Sequence, residues 1–163
     1  MKKDSKLRGR VECDESYFGG CRKGNRSRGA AGKTIVFGIL ERNGIVKVSI
    51  VPDVSAESLV GETVKKVRRG SIIYTDKWRG YNSLMFCGYK HLSIDHKYKF
   101  KQGKVYINGV EGFWSYAKER LIKHHGISQK KFLLYIKEQE WRYNNKNKNL
   151  YEILINILVA YPL

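Results

Sequence analysis

Residues 34–76, TIVFGILERNGIVKVSIVPDVSAESLVGETVKKVRRGSIIYTD, decide the fold. The stretch begins with two β-rich runs, TIVFGILER and GIVKVSIVPDV, joined at Asn43-Gly44, the strongest short-range signal for a hairpin. Ser55 then caps a predicted helix, AESLVGETVKKVRRG, in which Leu59, Val60, Val64 and Val67 share a face and Gly70 closes the run. SIIYTD is almost wholly apolar, the pattern of a short strand buried on both faces. A strand–helix–strand crossover returns that strand parallel within the same sheet, with a right-handed connection. Antiparallel and parallel neighbours are both required, so the fold class is α/β with a mixed sheet.

The flanking chain extends this sheet. Arg8 to Tyr17 (RGRVECDESY) reads as a strand ending in Gly19-Gly20, so the first three strands form an antiparallel meander. The loop CRKGNRSRGAAGK carries Arg22, Lys23, Arg26, Arg28 and Lys33 without one acid, and is expected to stay flexible until DNA orders it. His91 to Asp95 (HLSID) adds a short strand, and the basic loop KYKFKQGK follows. From Gly109 the chain reads as helical. Val110, Phe113, Trp114, Ala117 and Leu121 form a core stripe, with Glu111 and Lys118 on the stripe beside it. SQKKFLLYIKEQEWRYNNK predicts a further helix capped by Ser128, with Glu138 paired to Arg142 one turn on. Leu150 to Ala160 predicts the last helix, after the polar connector Asn144–Asn149 and before Pro162. At 163 residues the chain suits one domain, 1–163.

Composition narrows the partner. The chain has 32 Lys+Arg against 15 Asp+Glu, a formal charge of +17, which favours a polyanion through phosphate neutralisation. Because the charge is spread along the chain and not gathered on one amphipathic helix, a membrane surface is the poorer partner. Cys13, Cys21 and Cys87 are odd in number and form no CxxC pair, which argues against a disulfide framework and a zinc ribbon. The four histidines show no metal-ligand spacing. No apolar run follows MKKDSKLRGR, and LYEILINILVAYPL is too short and interrupted to span a bilayer. The expectation is a soluble, non-secreted protein that meets nucleic acid in the cytoplasm, nucleoid or nucleus.

Three acids stand out against that basic background: Asp14 on the first strand, Asp76 ending the fourth, and Glu111 near a helix start. Adjacent strands lie about 4.8 Å apart, so two carboxylates there can share a metal, and the helical one can reach a second. Mg²⁺ suits all-oxygen ligands, and a metal pair clamps the attacking and leaving oxygens of a phosphodiester. Each residue also has a plainer reading. An Asp at a strand end is a turn or cap residue, Glu111 answers the helix dipole, and Lys118 is a solvated lysine. Glu15 and Asp95 are rival carboxylates. Tyr98 and Phe100 either stack on bases or leave a solvated loop with one ring packed inward. His124 and His125 are phosphate contacts or a polar helix end.

VECDESYFGG with its basic loop, YTDKWRGY, INGVEGFWSYAKERL and EQEWRYNN, in that order, resemble the catalytic domain of a DDE transposase. The chain is similar to the Merlin-like transposases and their bacterial ISXO-type relatives over nearly its whole length. The 34 residues between Asp76 and Glu111 resemble the second spacing of DDE enzymes, and Lys118 matches a basic residue common there. The resemblance implies a ribonuclease H-like fold, a five-stranded mixed sheet flanked by helices. It implies Asp14, Asp76 and Glu111 as catalytic ligands of two Mg²⁺ ions, with Mn²⁺ as substitute. Asn108, one turn before Glu111, is the alternative third ligand. DNA contacts are expected from Lys118, Arg120 and Lys123, from Lys97, Lys99 and Lys101, and from Arg22, Lys23, Arg26 and Arg28. Family members carry an N-terminal zinc-ribbon or helix-turn-helix segment for which this chain shows no pattern, so the DNA-recognition segment is expected to be absent.

The function implied is cleavage of double-stranded DNA at transposon ends and 3′-hydroxyl strand transfer into a target, by a homodimer or larger assembly. The alternative is a degenerate or domesticated transposase, kept as a DNA-binding or assembly module. A ribonuclease H-like nuclease would share the acids but perform no strand transfer.

Overall fold

A computed structural model of the chain describes residues 6–19, 32–76, 79–94, 106–124 and 126–161. Arg22, Lys23, Arg26, Arg28, Asp95, Lys97, Tyr98, Lys99, Phe100, Lys101 and His125 lie outside the described residues. Five strands, β1 (Arg10–Phe18), β2 (Thr34–Glu41), β3 (Val46–Val51), β4 (Ile72–Asp76) and β5 (Lys90–Ile94), form one sheet in the order β3-β2-β1-β4-β5. β1, β2 and β3 pair antiparallel, whereas β4 is parallel to β1 and β5 parallel to β4. The β2–β3 hairpin turns at Asn43, whose φ of 62° is the left-handed conformation that asparagine tolerates.

The two faces of the sheet carry separate cores. On one, Phe18, Val36, Leu40, Val46, Val48 and Tyr74 meet α2 (Asn108–Leu121) and α3 (Gln129–Asn144). All five residues of the expected α2 stripe, Val110, Phe113, Trp114, Ala117 and Leu121, are buried there. On the other, Val11, Cys13, Phe37, Ile39 and Ile73 meet α1 (Ala56–Lys66) and a 3₁₀ segment, Arg79–Cys87. α4 (Leu150–Ala160) has the expected bounds and buries none of its residues.

Two expectations need correction. α1 was expected to run to Gly70 but stops at Lys66. Val67 is extended instead, bridging Leu7 in parallel, and the Leu7 N–H donates to the Lys66 carbonyl at 2.8 Å. A buried backbone pairing outcompetes another helical turn, and Gly70 (φ 83°) makes the bend into β4. The 3₁₀ segment had no counterpart in the sequence reading. It buries Tyr81 and Leu84, three residues apart, on the eclipsed face of a three-residue period, which is neither a helical nor a strand signature. Asp14 lies inside β1, as the expected strand from Arg8 to Tyr17 places it, and β1 stays paired to β2 as far as Phe18↔Thr34.

Candidate active site

Strand register brings the two aspartates together. β1 pairs with β4 at Arg10↔Ile72, Val11↔Ile73 and Glu12↔Tyr74, and the ladder then stops while both strands continue. Carrying the same offset two residues further sets Asp14 opposite Asp76, on the face occupied by Glu12 and Tyr74. The two carboxylates are near enough there for the charge of Asp76 to act on Asp14. The site therefore opens where β1 and β4 part.

The electrostatics follow from that crowding. Burial, first, and then the charges of Glu15 and Asp76 raise the Asp14 pKa to about 8, against lowering by a hydrogen bond from Trp114. Glu15 is also raised, mainly by burial, with Asp76 adding to the effect. It points to the opposite face, where the Tyr81 hydroxyl donates to it at 2.6 Å. Behind Asp76, the Thr75 hydroxyl shares a 2.8 Å hydrogen bond with His91 Nε2 and donates to the Asp76 carbonyl oxygen at 2.6 Å. Asp76 thus ends its strand on a backbone tied to β5.

α2 lies along β1 in the same direction and is fastened to it. The Val110 N–H donates to Glu12 Oε2 at 3.1 Å, and Trp114 Nε1–H donates to Asp14 Oδ2 at 2.9 Å. Four residues of helix rise about 6 Å and two of strand about 6.6 Å, so the two ladders stay in step. The same Glu12, 1% exposed, accepts from Arg42 Nε at 2.7 Å. Arg42 is held between the rings of Tyr74 and Tyr106, 3.7 and 3.8 Å from their centroids. Beneath the Trp114 indole is Gly38, the cross-strand partner of Asp14. A Cβ there would stand 2.5 and 2.7 Å from Trp114 Cζ2 and Cη2, so only glycine admits the ring.

Placement of the remaining predicted residues is mixed. Glu111 and Lys118 are exposed, and seven residues of helix put them roughly 20° apart on one flank of α2. The opposite flank, with Phe113 and Tyr116, meets Tyr143 of α3, and α3 is bonded to β3 through Asn144 and Glu140. The Glu111–Lys118 flank consequently faces away from β3, on the side of the sheet where β4 lies. Lys118 Nζ is 5.8 Å above the Phe18 ring at the end of β1. Asn108 opens α2 and is exposed. Arg120 and Lys123 belong elsewhere, in a cleft of about 390 Å³ between α2 and α3 shared with His124, Glu138, Gln139 and Arg142. Trp114 and Gly38 were missed in the sequence as parts of the site. A tryptophan on a buried stripe and a glycine in a strand look like packing until the register is known.

Among the described residues, no three His, Cys, Asp or Glu side chains are gathered closely enough to hold a metal ion. Asp14 and Asp76 are brought together and Glu111 is not grouped with them. The aspartate pair nevertheless fits a divalent cation. Burial and the neighbouring acids disfavour the Asp14 anion, and a bound cation would displace its proton and offset that cost.

The ISXO2-like transposase domain family matches residues 6–144. A protein of Haemophilus influenzae described as an uncharacterised transposase-like protein is 42% identical over 96 residues, covering 59% of this chain and 78% of that protein. Among solved structures, the catalytic core domain of BIV integrase superposes with a TM-score of 0.54 at 16% identity, covering 93% of this chain and 97% of the other. The magnesium-bound, dimeric catalytic core domain of HTLV-2 integrase gives 0.50 at 13%, covering 86% and 88%. These two likenesses establish the ribonuclease H-like fold, with its five-stranded mixed sheet and antiparallel first three strands.

Proposed function

This chain belongs to the ISXO2-like transposase domain family, and from that premise we propose that it is a metal-dependent DNA strand-cleaving and strand-transferring core. In the first step the oxygen of water forms a bond to phosphorus and the bond to the 3′ oxygen breaks, leaving a 3′-hydroxyl at the element end. In the second, that hydroxyl attacks a target phosphodiester in line and displaces the target's own 3′ oxygen. Asp14 and Asp76 would hold Mg²⁺, or Mn²⁺ in its place, with Glu111 or Asn108 supplying the third ligand from α2. When bound, divalent ions stabilise the attacking and leaving oxygens. The chain itself fixes the two aspartates on adjacent strands and aligns α2 along β1, while Lys118 would hold a phosphate beside the pair. Arg120 and Lys123 would track the duplex farther along. The observation that carries this reading is the Asp14–Asp76 register on one face of a sheet in a +17 chain.

Supercoiled-plasmid nicking tests it. Wild type is expected to cut only with Mg²⁺ or Mn²⁺, and Asp76→Asn to lose cutting while binding DNA with unchanged affinity. If both proteins bind DNA and neither cuts, the degenerate reading replaces this one. That second reading is favoured by one observation: Glu111 is exposed and is not gathered with the two aspartates into a group able to hold a metal.

The core is proposed to act as a pair of identical chains joined through α4. Tyr151, Leu154, Ile155, Ile157, Leu158 and Val159 are each 41–76% exposed, on a helix without a basic residue. An isolated helix of 11 residues is marginal in water unless it packs on something. Six exposed apolar side chains on three turns of helix are the material of an interface core. The helix is too short to cross a bilayer and lacks the cations of a membrane-surface helix.

A further inference from the structure

We propose that Trp114, seated by Gly38, is the positioning residue for Asp14: its indole N–H holds Oδ2 and so fixes the direction in which the carboxylate meets a cation. The inference rests on Asp14 being a metal ligand, as proposed above. Three independent observations carry it. Trp114 Nε1 donates at 2.9 Å to Asp14 Oδ2, joining residues 100 apart in the chain. The indole is 4% exposed and wedged by rings, edge-on to Phe18 at 6.0 Å and tilted on Phe113 at 5.2 Å, so it has one orientation. Gly38, directly across the ladder from Asp14, supplies the missing Cβ that lets the ring lie flat against β2.

Geometry makes this more than filling of the core. A buried indole needs an acceptor, and a backbone carbonyl would serve. Here the acceptor is a buried carboxylate crowded by Glu15 and Asp76, and the donor fixes which way it turns. Groups that orient a metal's ligands in this way typically change its affinity by about 10- to 100-fold when removed. The same bond sets the distance between β1 and α2, the helix that carries Glu111 and Lys118.

Mn²⁺ affinity of the full chain, read from the free-ion electron paramagnetic resonance signal without DNA, tests the proposal. Trp114→Phe keeps a ring and loses the donor, and is expected to weaken binding about 10- to 100-fold. Gly38→Ala keeps the donor and displaces it, and should weaken binding in the same direction. In the double variant the smaller ring accommodates the new Cβ. Its melting temperature should recover relative to Gly38→Ala, with no recovery of Mn²⁺ affinity. A purely space-filling tryptophan predicts the reverse: wild-type affinity in Trp114→Phe, or affinity restored in the double variant, overturns the proposal. Asp76→Asn is the control for the site itself. If wild type does not bind Mn²⁺, or binds it equally after Asp76→Asn, the metal-site reading falls and this inference with it. Loss in Asp76→Asn without loss in Trp114→Phe overturns this inference alone.

Discussion

Asp14 is the residue on which pH should act most visibly. Its pKa rises from 3.8 to about 8 on folding, chiefly through burial and then through Glu15 and Asp76. A folded pKa above the unfolded one means the fold binds a proton that the open chain has released. The resulting stabilisation is full below about pH 4 and disappears as pH rises through about 8. The metal-free protein should therefore melt at a lower temperature at pH 9 than at pH 6. Asp14→Asn should flatten that slope and raise the melting point at pH 9, while abolishing Mn²⁺ binding. A variant with the wild-type slope would show that Asp14 titrates normally. Mg²⁺ competes with the same proton, so its affinity should climb with pH up to about 8. The two aspartates were legible in the sequence as acids in a basic chain. The hydrogen bond from Trp114 was not, because nothing in the local pattern of EGFWSYAKERL shows where an indole N–H points.

At the scale of elements, Glu12 is the joint between β1, β2 and α2. It is buried, accepts from Arg42 Nε, and accepts from the Val110 N–H in the first turn of α2. Removing it takes the carboxylate from the largely buried Arg42 guanidinium and from a helix N–H, at a cost of about 3–5 kcal/mol. Glu12→Ala should thus lower the urea midpoint by that free energy, with an unchanged m-value if the rest of the fold survives. A midpoint shift near zero would show that water replaces the carboxylate. The helices and strands themselves were largely readable: β2, β3, α2, α3 and α4 follow from periodicity, turn residues and caps. α1 overran its real end because its apolar spacing continues through Val67, while the pairing of Val67 with Leu7 is a long-range bond that spacing cannot contain.

For the whole molecule, the conspicuous feature is an apolar helix that buries none of its residues against the described part of the chain. Light scattering should find a dimer, and Leu154→Glu with Leu158→Glu should return a monomer whose melting temperature no longer depends on protein concentration. A monomeric wild type would remove the pairing proposal without touching the aspartate site. Among the described residues no helix is long and apolar enough to cross a membrane, in keeping with the reading of LYEILINILVAYPL. By itself the sequence determined the strands and α-helices, their order and the mixed sheet, because periodicity and turn chemistry are local properties. Only the tertiary structure decided which residues meet. An offset of 62 between β1 and β4 sets Asp14 against Asp76, and parallel travel of α2 along β1 delivers Trp114 to Asp14 across Gly38. The same packing separates Lys118 from Arg120 and Lys123. Register and helix alignment are set by how side chains fill the space between layers, and one residue of slip in β1 would turn Asp14 to the other face of the sheet.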